Sequence, residues 1–157
     1  MDNVFKDIFK GKIVIIGIGN SLRGDDGIGP ALIDGIKQPV GVLCIDAATA
    51  PENYIGKVAK EKPDTVLIVD AAHLNLAPGE YKILKKPDIL KSGFTTHDIS
   101  PSLFIEYLEK ETSADIYMLG IQPKSVSFGR EMSDEVKKTL KELSGLIKAA
   151  MGESRQH

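Results

Sequence analysis

Three residues in this chain have side chains that could share one metal ion. Asp26 follows an uninterrupted apolar run at 13–18, Asp70 closes another at 65–69, and His97 stands in the loop GFTTHD at 93–98. Two carboxylates and one imidazole form a mixed oxygen and nitrogen donor set that leaves coordination positions open, as a catalytic transition-metal or zinc site requires. A structural zinc would want more ligands. Each residue also has a plainer reading. An acid near a helix start can cap it and complement its dipole, and DDG is a common turn sequence, so Asp25 is read as a cap and Asp26 could be one too. Asp70 is harder to explain that way, because burying a carboxylate at a strand end without partners is costly. His97 could equally be a solvent-facing loop histidine. His73 and His157 have no convincing partner, and Asp46, at the end of another strand, is read as bonding the turn into Thr49, with support of a metal ligand as the alternative.

Other chemistries lack their signatures. There is no GxSxG elbow, no HExxH helix and no GxxxxGK[ST] loop. Gly17-Ile18-Gly19-Asn20 starts like a dinucleotide fingerprint, but position 22 is Leu, and Asp25 and Asp26 would repel a pyrophosphate at the helix start. Cys44 is the only cysteine and lies in the apolar run VLCI, which suits a buried structural thiol. A net charge of −2 from 20 basic and 22 acidic residues gives no footprint for nucleic acid. No apolar stretch approaches the roughly 20 residues that span a bilayer, and the start MDNVFKDIFKGK lacks the apolar core of a signal peptide. The expectation is a cytoplasmic chain without membrane insertion.

The elements that must position these residues follow from periodicity. Apolar runs predict strands at 13–18, 41–46, 65–69 and 116–121, with a shorter one at 81–84 after the turn Pro78-Gly79. Between them, Gly29-Pro30 opens a helix with Ile28, Leu32, Ile33 and Ile36 at helical spacing. Thr49-Ala50-Pro51-Glu52 reads as a capping box for a helix to about 60. Ser100-Pro101 caps a helix to about 110, and Ser133 starts a last helix to about 152 whose apolar face is Val136, Leu140, Leu143 and Ile147. The alternation predicts one domain over 1–157, a largely parallel sheet covered on both faces, with loose ends at 1–11 and 153–157. In such sheets ligands bind beyond the carboxyl ends of the strands, where connections leave in opposite directions. The common order 2-1-3 makes the first and third strands neighbours, so Asp26 and Asp70 can meet there. The residues alone lead this far and name no substrate.

The motifs GIGNSLRGDDGIGP at 17–30, DAATAPEN at 46–53, LIVDAA at 67–72, TTH at 95–97 and LGIQP at 119–123 resemble those of the hydrogenase maturation proteases. APEN, PGE and GIQP, with Asp rather than Glu as the first acid, resemble the branch serving hydrogenase 3, which acts on energy-converting, membrane-associated enzymes. The resemblance implies a three-layer α/β/α sandwich of the phosphorylase/hydrolase-like kind. Its mixed five-stranded sheet would be ordered 2-1-3-5-4, with strand four antiparallel. It implies an endopeptidase that removes the C-terminal extension of a nickel-iron hydrogenase large-subunit precursor after nickel insertion. The catalytic nickel ligands would be Asp26, Asp70 and His97. The nickel would be supplied by the precursor, no organic cofactor is expected, and the protein is expected to be a monomer. Asn20, Gln122 and Pro123 are expected to border the substrate cleft, the alternative being that Gln122 only ties down a turn. Two rival functions remain open: a non-catalytic protein that recognises the nickel-loaded partner, and a nucleotide-binding α/β module.

Overall fold

The apolar runs become the strands of one sheet. The computed structural model describes residues 2–89, 93–94 and 100–154. Its strands are β1 (Ile13–Ile18), β2 (Val42–Ala48), β3 (Thr65–His73), β4 (Tyr81–Leu84), β5 (Gly93–Phe94) and β6 (Asp115–Ile121). They are ordered β2-β1-β3-β6-β4, with the two-residue β5 paired to the end of β3 outside this path. Strands β2, β1, β3 and β6 run parallel, and β4 is antiparallel to β6. With β5 set aside, this is the mixed five-stranded sheet that the resemblance implied. The parallel sheet read from periodicity is corrected at β4. The chain reverses tightly at Pro78-Gly79 and is stitched to β6's end by Gly79 N–H to Gln122 O and Gln122 N–H to Glu80 O, both 2.8 Å.

Side chains alternate across the strands and divide the core in two. Ile13, Ile15, Leu67, Val69, Leu119 and Ile121 face a layer made by α1 (Val4–Ile8), α2 (Ile28–Asp34) and α6 (Asp134–Ser154). Val14, Ile16, Val66, Ile68 and Met118 face the opposite layer, where α3 (Ile55–Glu61) and α5 (Pro101–Glu111) supply Val58, Phe104, Ile105 and Leu108. A short α4 (Lys86–Ile89) follows β4. Burying each such Ile, Leu or Phe is worth about 1.5–3 kcal/mol relative to leaving it exposed, so these two layers hold the sheet rigid beneath its loops.

Several elements differ from expectation. The N-terminal stretch read as a loose end contains α1, with Phe5 wholly buried and its ring 5.7 Å from that of Phe9. Asn3 Oδ1 caps this helix by accepting from Phe5 N–H (3.0 Å), while its Nδ2 donates to Leu146 O (2.8 Å), tying α1 to α6. The capping box at Thr49 does not form. Ala48 takes a left-handed φ of 48°, and the chain enters α3 through a 3-10 turn at Pro51–Tyr54 without a side-chain cap. Strand β3 runs on through Asp70 to His73, so Asp70 lies inside the strand rather than closing it. The caps at Ser100 and Ser133 form as read: Ser100 Oγ accepts from Leu103 N–H (3.2 Å) and Ser133 Oγ from Val136 N–H (3.3 Å).

Candidate metal centre

Asp26 sits in a 3-10 turn, Gly24–Gly27, between β1 and α2, and that turn packs against β3. Missing side chains bring it there. A Cβ at Gly29 would collide with the backbone of Ile18 and stand 2.7 Å from Val69 O, so only glycine lets the start of α2 lie on the sheet. Gly19, at φ 150°, leaves room for the carbonyl of Asp26 itself. The glycines that suggested a phosphate loop are therefore filled by protein. Asp26 is wholly buried, and its Oδ2 accepts from Asn20 N–H at 2.9 Å.

Asp70 is also wholly buried. Strand β1 stays paired with β3 as far as Gly17 opposite Val69, so Asp70 is the first β3 residue beyond that ladder, while on its other side it remains opposite Gly120 of β6. Two wholly buried acids, one on β3 and one in the turn resting against it, bring oxygen donors of the kind a cation takes to this edge. Both have further polar interactions besides those named.

The neighbouring Asp25 does something different. Neither the 3-10 turn nor α2 has a side-chain cap, so Asp25 is no cap for its own helix. Its carboxylate reaches the loop after β6: Oδ2 accepts from Lys124 N–H (2.7 Å), Ser125 N–H (3.3 Å) and Ser133 Oγ (2.9 Å), and Oδ1 accepts from Ser133 N–H (2.7 Å). Gly24 N–H to Arg130 O (3.1 Å) and Asp25 N–H to Ser125 O (3.0 Å) add to the latch.

His97 lies outside the described residues, as do Thr95, Thr96 and His157. Among the described residues no three histidine, cysteine or acidic side chains gather into a metal cage. The chain leading to His97 is nevertheless anchored, because Phe94 of β5 pairs with Ala72 of β3, just past Asp70.

Gln122 is 9% exposed and ties loops together. Its Oε1 accepts from Leu74 N–H (2.6 Å) and Leu76 N–H (3.4 Å), and its Nε2 donates to Pro123 O (3.2 Å). Asn20 Oδ1 is likewise taken up by Leu22 N–H (2.9 Å). Asp46 Oδ1 accepts from Ala48 N–H (2.9 Å), holding the turn before Thr49, and His73 is exposed at the end of β3. Cys44 is half-buried, and burial pushes its thiol up to about 11. Glu52, the acid of the capping box that does not form, stands apart from the acid pair. Its Oε2 is buried with no hydrogen-bond partner among the described residues, and its place in DAATAPEN is the signal that could have marked it.

Residues 31–150 match the family model described as hydrogenase maturation protease. The hydrogenase 3 maturation protease of Escherichia coli K12 is 39% identical over 127 residues, covering 79% of this chain and 81% of its own. The chain belongs to the hydrogenase maturation proteases. The crystal structure of the [NiFe] hydrogenase maturation protease HycI from Thermococcus kodakarensis is similar at a TM-score of 0.86 and 34% identity, covering 95% of this chain and 99% of its own. The solution structure of the Escherichia coli endopeptidase HycI is similar at 0.79 and 32%, covering 90% and 92%. Among the described residues of this hydrogenase maturation protease, no helix is long and apolar enough to cross a membrane.

Proposed function

We propose that this protease is the metal-dependent endopeptidase that trims the C-terminal extension from the large-subunit precursor of a nickel-iron hydrogenase once nickel is in place. The observation that carries this reading is the pair of wholly buried carboxylates, Asp26 and Asp70, at the carboxyl edge of adjacent strands in a chain of this family. Nickel is here part of the substrate. It arrives held by the precursor, and Asp26, Asp70 and His97 take up its open positions. The pairing of Phe94 with Ala72 supports His97 as the third ligand, since three residues of extended chain reach about 10 Å. A metal so placed can polarise the scissile carbonyl or acidify a bound water, which makes hydrolysis feasible without a protein nucleophile.

The chain's own residues do the positioning. Asn20 N–H orients Asp26, Asp25 fixes the turn that carries it, and Gln122 and Pro123 hold the neighbouring loop at 74–76 beside the cleft. The likeness to the hydrogenase 3 maturation protease supports a precursor of that branch. The protease works as a cytoplasmic monomer. Two carboxylates and an imidazole are an incomplete cage, so the resting protein is expected to hold no tightly bound metal and no organic cofactor.

Incubating the purified protein with matched nickel-loaded and nickel-free precursors tests this. The nickel-loaded chain should shorten and the nickel-free chain should stay intact. Stoichiometric zinc in the resting protein together with equal cleavage of both would replace this account with an ordinary zinc peptidase.

A further inference from the structure

We propose that Leu22 and Phe128 form an apolar rim that seats an apolar segment of the precursor beside the acid pair, making them specificity-determining residues. This rests on the proposed endopeptidase function. Leu22 is 62% exposed and Phe128 72%, in a chain whose other large apolar residues are mostly buried. The two stand on different loops, one after β1 and one after β6, and the loops are joined beside them by Gly129 N–H to Leu22 O at 2.8 Å. The Asp25 latch and the bond from Gly24 to Arg130 fasten the same two loops again. Exposure here is therefore built on a fixed frame rather than on loose chain.

Position points to the occupant. Strand β3 lies between β1 and β6, so a bridge between the loops following those two strands runs alongside the end of β3 that carries Asp70. Leu22 also precedes Asp26 within one short loop. An open depression of about 350 Å³ lies beside the bridge, and Ser21 and Arg130, neighbours of the joined residues, belong to its wall together with Pro30, Asp34, Asp46 and Met132. An apolar rim fixed on the loops that follow β1 and β6, beside an open groove of mixed lining, matches a polypeptide substrate that anchors by a few large side chains and lays its backbone beyond them. Val40, 93% exposed, serves as the contrast, since it lies on the loop before β2 at the other end of the sheet.

The test uses full-length protein carrying Leu22→Ser, Phe128→Ser or Val40→Ser. Precursor binding is measured by titration calorimetry and cleavage of nickel-loaded precursor by initial rates. Each rim variant should weaken precursor binding and raise KM by about tenfold with kcat kept, while Val40→Ser changes neither. Unchanged binding in both rim variants overturns the inference, as does a fall in kcat at constant KM. So does sedimentation showing that the rim variants split a dimer of this chain. If the unsubstituted protein binds the precursor tightly but never cleaves it, the peptidase reading fails while the rim stands. Unaltered circular dichroism and melting of the variants, expected for exposed side chains, separates lost recognition from lost fold.

Discussion

The two ends of the sheet spend their polar residues differently. At the end where β3 begins, Thr65 is wholly buried, yet its Oγ1 donates to Lys10 O (2.9 Å) and accepts from Lys10 N–H (3.1 Å). Nearby, Lys12 N–H meets Asp64 Oδ2 (2.8 Å), Asp64 N–H meets Lys12 O (2.7 Å), and Lys12 Nζ pairs with Glu61 (3.1 Å). Those contacts close the chain upon itself. At the opposite end, Asp26 and Asp70 are buried ionisable groups brought against each other's elements by a glycine-lined approach of α2 to the sheet. Concentrating carboxylates in a dry place is an expensive way to stabilise a fold. Polar groups at the first end are satisfied by closing the chain, whereas the buried acids at the second end are the donors that the proposed function assigns to a cation.

The largest effect should come from breaking the reactive end. Asp26→Asn and Asp70→Asn keep shape and remove charge, so each should cut processing of nickel-loaded precursor by at least about a thousandfold. Stability in urea should change by less than about 1 kcal/mol or rise, because a buried carboxylate is replaced by a neutral amide. A large loss of stability in Asp70→Asn would mean that this end also closes the fold, and the contrast would collapse.

Asp25→Ala comes next and tests whether adjacent acids have separate tasks. Its carboxylate accepts three backbone N–H groups and one hydroxyl from the loop after β6. Removing it deprives four part-buried donors of their shared acceptor and should cost about 2 kcal/mol in urea unfolding, with processing reduced only as far as the turn carrying Asp26 loosens. Normal stability would show that water replaces the latch.

Much of this division was legible in the residues, for identifiable reasons. Ile13–Ile18 and Tyr81–Leu84 were read to the residue because an unbroken apolar run and a Pro-Gly turn mark their limits. The extension of β3 past Asp70 was not, since an acid in mid-strand looks like a terminus until its neighbours Ala71 and Ala72 are seen to be buried. Helix α1 was missed although Phe5 and Phe9 stand at helical spacing, because a single turn gains its stability from docking on α6 rather than from local propensity. Strand β5 has no local signature at all: two residues pair with β3 only because the fold brings them there. That the elements carrying Asp26 and Asp70 meet follows from position on the sheet, and the structure brings that turn against β3 with both acids buried. The roles of Asp25 and Gln122 depend on partners about a hundred and about fifty residues away, which periodicity does not encode.

Gln122→Ala sharpens the comparison from within the reactive end, since its side-chain oxygen accepts from Leu74 and Leu76 N–H. It should lower stability by about 1–2 kcal/mol, and Thr65→Val should do the same at the far end. Both should process precursor at normal rates well below their melting temperatures. A KM change in Gln122→Ala alone would move that residue from brace to cleft.

The smallest effect is expected midway between the ends, at Cys44 in β2. Burial holds its thiol at about 11, above the ordinary 9.0, so the folded state favours the protonated form. The linkage sign follows: the thiol's contribution to stability is complete below about pH 9 and is lost as pH rises toward 11. Between pH 6 and 8 no stability change should trace to it. At pH 8 the thiolate fraction should be about a hundredfold lower than in the urea-unfolded chain, and alkylation by iodoacetamide correspondingly slower. A thiol so held would be a poor nickel ligand at neutral pH, and the proposed metal capture by Asp26, Asp70 and His97 does not call on it. Cys44→Ala should therefore cleave nickel-loaded precursor as the natural chain does. Rapid alkylation at pH 8, or loss of cleavage in that variant, would bring sulfur into the site and place the chemistry closer to β2 than the acid pair implies.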